Sequence, residues 1–305
     1  MANKAQPVTK GLLDRLNEER VLISDGATGT YLQSHGLEAG GCPELMNATH
    51  PEVIRSMARE YFDAGSDMVQ TNSFGGSSYM LKKYNLGERV EELNRLAAEN
   101  ARSSAPPEGL VLGSIGPTGE LLEPSGSATA DGVYSAFVEQ VQGLAAGGID
   151  GFCIETMSDY AEIALAIRAA KDTTELPVVA TMAFDKGPRG FFTMFGIMPA
   201  QAAEKLTEAG ADVVGSNCGI AIEDMIDIIA AMRSATDKPI LAHINAGIPK
   251  IENNQIVYPH TPDHMAQQIR KVVDAGANIV GGCCGTGPDH VRAFVQAIRA
   301  SINSV

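Results

Sequence analysis

One phrase recurs four times along this chain and ties it to an alternating architecture. Ala64-Gly65-Ser66-Asp67-Met68-Val69, Ala146-Gly147-Gly148-Ile149-Asp150, Ala209-Gly210-Ala211-Asp212-Val213-Val214 and Ala275-Gly276-Ala277-Asn278-Ile279-Val280 each close a helical pattern and precede a short apolar run. Glycine at that point ends a helix, because it accepts the left-handed conformation just past the last turn. The run that follows reads as a strand buried on both faces. Extending the unit predicts strands near 21–26, 67–73, 110–115, 151–156, 177–183, 212–217, 239–245 and 278–283. Helices are expected at about 51–64, 88–104, 132–146, 159–172, 199–209, 223–235, 263–275 and 288–301, with Ser158 and Thr261-Pro262 as helix starts. Eight strands alternating with eight helices over 305 residues is the arithmetic of a (β/α)₈ barrel. An open doubly wound sheet is the alternative. Its dinucleotide signature is only loosely echoed by Gly113-Ser114-Ile115-Gly116-Pro117-Thr118-Gly119, which has Pro117 and no acidic partner. No linker divides the chain, so residues 1–305 are expected to form a single domain.

The expected loops after strands 1, 3, 5 and 7 are long, roughly 28–50, 116–130, 184–198 and 246–261, and in a barrel they share the face that carries active sites. Cys218 and the pair Cys283-Cys284 fall at the ends of strands 6 and 8, on that face. Neighbouring Cα atoms lie about 3.8 Å apart, closer than the roughly 4.4–6.8 Å of a relaxed disulfide. An ordinary Cys283–Cys284 bridge is therefore disfavoured. Three thiols delivered to one place point to a soft metal, zinc first, with a fourth position open as in catalytic sites. Three buried, incidental cysteines are the alternative. Cys153, inside strand 4, is expected in the barrel core, and Cys42 has no clear partner. His260 and His264 lie four apart with Pro262 between them and are expected to flank a helix start, without a metalloprotease motif.

Composition narrows the partners. Acidic residues outnumber basic ones 37 to 23, a formal charge of −14, which argues against nucleic acid and anionic membranes. Five cysteines without a secretory pattern, and no apolar run long enough to cross a bilayer, lead to the expectation of a soluble cytoplasmic protein.

Other polar groups are expected on the same rim. Asp25-Gly26-Ala27-Thr28-Gly29-Thr30 ends strand 1, Asn72 lies at the end of strand 2, Glu155-Thr156 ends strand 4, and Asn245 ends strand 7. Asp25 and Glu155 beside a metal site read as a recognition pair for an ammonium group. Main-chain N–H groups of the turn after Asp25 offer a nest for a carboxylate. Together these features describe a pocket for a small amino acid. Asn72 and Asn245 are further candidates, Asn245 either supporting the metal or capping a turn.

From about Leu22 to Ile298 the chain resembles the homocysteine S-methyltransferase domain shared by cobalamin-dependent methionine synthase and betaine–homocysteine methyltransferase. The resemblance rests on Asp25-Gly26-Ala27-Thr28-Gly29-Thr30, Ala64-Gly65-Ser66-Asp67, Gln70-Thr71-Asn72-Ser73-Phe74, Gly113-Ser114-Ile115-Gly116-Pro117, Ile154-Glu155-Thr156, Asn217-Cys218-Gly219 and Gly281-Gly282-Cys283-Cys284-Gly285-Thr286. It implies a (β/α)₈ barrel, Cys218, Cys283 and Cys284 as zinc ligands, and Asp25, Gly26 and Glu155 as homocysteine-binding groups. The betaine-using relatives enclose the quaternary ammonium in aromatic rings. This chain has no tryptophan, has Thr156 where a cage tyrosine is expected, and has Gly75 and Gly76 after Phe74. The implied donor is therefore a methylated corrinoid such as methylcobalamin. No corrinoid-binding segment is recognisable, so it is expected on a separate protein, with the loop Asp185-Lys186-Gly187-Pro188-Arg189-Gly190-Phe191-Phe192 as a docking element. The alternatives are a betaine- or sulfonium-dependent homocysteine methyltransferase, a corrinoid-linked demethylase of another small substrate, and a non-catalytic zinc- or thiol-binding scaffold.

Overall fold

Eight parallel strands form the inner layer: β1 (Leu22–Ile23), β2 (Met68–Gln70), β3 (Leu110–Ile115), β4 (Gly151–Met157), β5 (Val178–Met182), β6 (Val213–Asn217), β7 (Ile240–Ile244) and β8 (Ile279–Gly282). This computed structural model describes residues 10–19, 21–252 and 255–302. Each strand pairs with the next along the chain from β2 to β8, and β8 pairs with β1. The outer layer holds the helices Pro51–Asp63, Val90–Ser104, Ala130–Ala146, Tyr160–Thr173, Pro199–Glu208, Ile222–Arg233, Pro262–Asp274 and Pro288–Ile302. This is the (β/α)₈ barrel expected from the repeat.

The seam between β1 and β2 shows what the recurring acid does. There the ladder gives way to a backbone bond, Asp67 N–H to Ile23 O at 2.7 Å, and to side chains. Ile23 N–H donates to Asp67 Oδ2 at 2.8 Å, and Gln70 N–H donates to Asp25 Oδ2 at 2.7 Å. The other three copies of the phrase repeat the first contact. Asp150 Oδ2 accepts from Val111 N–H at 2.7 Å, Asp212 Oδ2 from Val178 N–H at 2.8 Å, and Asn278 Oδ1 from Ile240 N–H at 3.0 Å. In every copy the glycine preceding the strand has positive φ, between 87° and 118°, so the chain reverses and presents the acid at the strand's start. The buried donor at the start of the neighbouring strand is thereby satisfied. Asp212→Ala should leave Val178 N–H unpaired and cost about 1–3 kcal/mol of stability. Urea denaturation checks this, with an unchanged midpoint as the contrary result.

The barrel interior is filled by one or two side chains per strand: Leu22, Met68, Leu110, Leu112, Cys153, Val179, Val213, Leu241 and Ile279. Leu12, fully buried on the short helix Leu12–Glu18, joins this layer. Cys153 is thus core, as its position in strand 4 predicted. The opposite strand faces pack against the helices, which accounts for runs buried on both sides.

Three details differ from the sequence reading. Asp159, not Ser158, caps the helix after β4, its carboxylate accepting from Ala161 N–H at 2.8 Å. The expected loops 184–198 and 246–261 each contain a pair of short antiparallel strands, Asp185–Gly187 with Gly190–Phe192 and Lys250–Glu252 with Gln255–Val257. Strands of three residues are too short to show periodicity. The regular part of β1 spans two residues rather than six, because Asp25 leaves the ladder to bond β2 through its side chain.

Candidate functional site

The three cysteines meet at the C-terminal end of the barrel, held by the strand between them. Cys218, the first residue past β6, donates its N–H to His243 O of β7 at 3.2 Å, and Cys283, past β8, donates to Ile244 O at 2.8 Å. Cys284 O accepts from Ala246 N–H at 2.9 Å. Cys218 has φ 62°, a left-handed conformation uncommon outside glycine that is typical of strained functional positions. Its Sγ lies 3.8 Å from that of Cys284, and all three sulfurs lie within 4.8 Å of one another. Tetrahedral coordination at a Zn–S distance of about 2.3 Å requires about 3.8 Å between sulfurs. The donor set therefore fits a thiophilic cation.

The electrostatics agree. Hydrogen bonds from Cys283 and Cys284 pull the Cys218 thiol down to about 3. The same sharing pushes Cys284 up to about 11 and Cys283 well above an ordinary thiol. Sharing among the three thiols thus favours ionisation at Cys218 and disfavours it at its two neighbours. Asn245, just past β7, contacts Cys218, and its Oδ1 is buried with no hydrogen-bond partner among the described residues. A buried acceptor beside thiols is satisfied by a cation or by a ligand that donates. The Tyr258 hydroxyl meets Cys284, and its ring fills the space where a side chain at Gly285 would stand.

Glu155 enters from β4 through an irregularity. The β4–β5 register shifts between Ile154 and Met157, and Thr156 has φ 60°, which is unusual for a β-branched residue. Asn217 holds this kink: its Oδ1 accepts from Thr156 N–H at 2.7 Å and from Thr181 Oγ1 at 2.6 Å, while its Nδ2 donates to Thr156 Oγ1 at 2.7 Å. Glu155 Oε1 accepts from Ser114 Oγ at 2.5 Å. Burial, reinforced by nearby Asp25, raises the Glu155 carboxyl to about 7.

Asp25 is also raised to about 7 by burial, against hydrogen bonds from Gln70 N–H and Ser24 that lower it. It sits beneath the cavity rather than on its wall, its carboxylate engaged by β2 and its carbonyl accepting from Gly282 N–H at 2.7 Å. Gly26 lies on the wall, packed so closely against Tyr61 and Thr286 that a β-carbon would collide with both. Asn72 also lies on the wall, but its amide is spent on Pro43 O at 2.7 Å and Asn47 Oδ1 at 3.1 Å, fixing the loop that carries Glu44.

These groups surround a cavity of about 260 Å³, lined by Gly26–Thr30, Pro43, Glu44, Gln70–Phe74, Ser114, Glu155, Thr156, Cys218 and Gly282–Cys284. That is slightly below the usual range for drug-sized ligands and gives room for a small amino acid. A cleft of about 450 Å³ bordered by Arg233 and Arg270 lies at the other end of the strands, and no cysteine reaches it.

Several contributors were not singled out from the sequence. Asn217 and Ser114 stand inside quoted motifs, where adjacency to Cys218 and Gly113 was the available signal. Glu44, buried with Oε1 accepting from Gly75 N–H at 2.7 Å and Oε2 from the Cys42 thiol at 3.3 Å, lies in a loop with no local pattern. That contact supplies the partner Cys42 lacked. It also explains Gly75, since a side chain there would strike the Glu44 carboxylate.

The family model for homocysteine S-methyltransferase matches residues 22–298. Methionine synthase of Mycobacterium tuberculosis is 31% identical over 94% of this chain, which spans about a quarter (25%) of that protein's length. Betaine–homocysteine S-methyltransferase 1 of Danio rerio is 30% identical over 95% of this chain and 76% of its own. The structure of the homocysteine methyltransferase MmuM from Escherichia coli, metallated form, superposes with a TM-score of 0.76 over 92% of this chain and 96% of its own, at 21% identity, a likeness of fold.

Proposed function

The chain belongs to the homocysteine S-methyltransferase family, and from that premise we propose that it transfers a methyl group to the sulfur of homocysteine, forming methionine, with zinc held by Cys218, Cys283 and Cys284. The carrying observation is the convergence of three thiols and a buried carboxylate on one cavity of amino-acid size. Zinc there supplies the positive charge that keeps a fourth thiol ionised near neutral pH, below the roughly 8.5 at which a free thiol loses its proton.

The remaining roles belong to the chain itself. Glu155, oriented by Ser114 and by the Asn217-braced kink, receives the substrate ammonium. Gly26 and the first turn of the helix Thr28–Ser34 offer main-chain N–H groups to the substrate carboxylate. Asp25 fixes the β1–β2 seam from which that turn starts and adds negative charge beneath the ammonium. Asn245 steadies Cys218, and Asn72 holds the Pro43–Asn47 wall. The homocysteine sulfur then attacks the donor methyl group in line, and the donor leaves with the bonding electron pair.

We assign the donor as a methylated corrinoid carried by a separate protein. Phe74 is the one aromatic ring among the residues lining the cavity. Thr156 occupies the position after Glu155, and the Glu44 carboxylate leaves Gly75 no room for a ring. A trimethylammonium entering here would forgo about 0.5–2 kcal/mol for each missing ring contact. Exposed Met194, Phe195, Ile248, Ile251 and Ile256 stand on the loops after β5 and β7, at the end of the barrel where the cavity opens, and suit a protein-borne donor. A betaine donor is the second reading, favoured by the 30% identity to the Danio rerio enzyme. Methionine formation should be measured in parallel with methylcobalamin, glycine betaine and S-methylmethionine. Methylcobalamin should exceed betaine by about tenfold or more, the effect of about 1.4 kcal/mol on a barrier. Faster turnover with betaine would reverse the assignment.

A further inference from the structure

Around the rim from the thiols, His260 and His264 are joined by a third group that their sequence spacing does not reveal. Glu223 stands in the first turn of the helix Ile222–Arg233, and its Oε1 lies 2.9 Å from His264 Nε2. The His260 and His264 rings are 4.3 Å apart between centroids, and one ligand atom from each of the three residues lies within 4.8 Å of the others. We infer that Glu223, His260 and His264 form a second transition-metal site, taking zinc or a similar divalent ion through two imidazoles and one carboxylate.

Two observations support this. First, His260 Nδ1 is buried and has no hydrogen-bond partner among the described residues, so this ring is not committed elsewhere in the fold. Second, the ligands are placed before any ion arrives. His260 N–H donates to Ala246 O at 3.0 Å, and His260 O accepts from His290 Nε2, also at 3.0 Å. The ring packs against Gly247, where a β-carbon would come within 2.9 Å of it. His264 is fixed at the helix start by Thr261, whose Oγ1 accepts from His264 N–H at 3.3 Å.

The two sites differ in kind. Thiolates select soft ions, whereas two imidazoles and a carboxylate form a borderline set suited to zinc, cobalt or nickel, with a fourth position open to water. His264 and Glu223 are 39% and 49% exposed, so an ion can enter from solvent without disturbing the cavity. Such an ion would tie the helix that follows Cys218 to the segment that follows Tyr258.

The test is metal stoichiometry on the full chain. Metal-free protein titrated with Co²⁺ near neutral pH should bind two equivalents. One should bring thiolate-to-cobalt charge-transfer absorption, and the other only weak ligand-field bands. His264→Ala and Glu223→Gln should each lose the second class while keeping the charge-transfer band, and Cys283→Ser should lose that band while keeping the other. Circular dichroism establishes that each variant is folded, and Zn²⁺ titration repeats the count. A single equivalent in the parent protein, or a second equivalent unchanged in both His264→Ala and His260→Ala, would overturn the inference.

Discussion

Cys283→Ser is expected to empty the three-cysteine site of zinc and to abolish methionine formation. A neutral hydroxyl replaces one of three thiolates, and the site's thiophilic character depends on all three. Loss of a partner outside the coordination sphere typically costs 10–100-fold in metal affinity, so loss of a ligand should exceed about 100-fold. Ionisation alone accounts for much of the activity. A free thiol with a pKa near 8.5 is only about 3% thiolate at pH 7, a penalty of roughly thirtyfold before orientation is counted. The fold should survive, because Cys283 is placed by its backbone bond to Ile244 O and that bond does not need the sulfur. Metal analysis of the purified variant, with circular dichroism as a control, checks the result. Retention of zinc and activity in Cys283→Ser, Cys284→Ser and Cys218→Ser alike would remove the site.

Glu155 carries the second large effect. Glu155→Ala should weaken amino-acid binding by about 1.5–3 kcal/mol, the worth of a hydrogen bond to a charged group, while zinc content stays unchanged. Methionine is the better probe, since its thioether has no proton to lose. Both Glu155 and Asp25 have carboxyls raised to about 7 by burial, so each is largely protonated at pH 6 and largely ionised at pH 8. Affinity for the ammonium of methionine should therefore rise as pH passes through about 7, and rise less steeply in Glu155→Gln. Stability should move the other way. A carboxyl whose folded pKa lies above its unfolded value holds its proton longer in the native state, so ligand-free stability falls as pH rises from about 4 to about 7. Above that range Glu155→Gln should be more stable than the parent by up to about 3 kcal/mol. Equal methionine affinity in Glu155→Ala and the parent would exclude Glu155 from substrate binding.

The repeated Ala-Gly phrase made the barrel legible because it encodes a local event, a helix ending on a left-handed glycine before a buried strand. The meaning of the acid that follows was not legible, since its partner is an N–H near the start of a strand one repeat earlier, as Asp212 shows with Val178. The cysteines were readable for a similar reason: strand ends converge in a barrel by construction. Asp25 was expected in the pocket beside Glu155, and burial does place the two close together, yet Asp25 spends its carboxylate on the barrel seam. Glu44 and Asn217 were hidden for another reason. Their roles depend on contacts with Gly75 and with the kink at Thr156, both distant in sequence and set by packing rather than by pattern.

On the proposed function, a homocysteine sulfur would join the three protein sulfurs on one metal ion. Zinc K-edge X-ray absorption, on protein loaded with one equivalent of zinc, tests it directly. The sulfur count around zinc should rise from three to four on adding homocysteine, with loss of a lighter oxygen or nitrogen neighbour, and should return to three when methionine replaces it. A first shell that stays at three sulfurs with homocysteine bound would contradict the account.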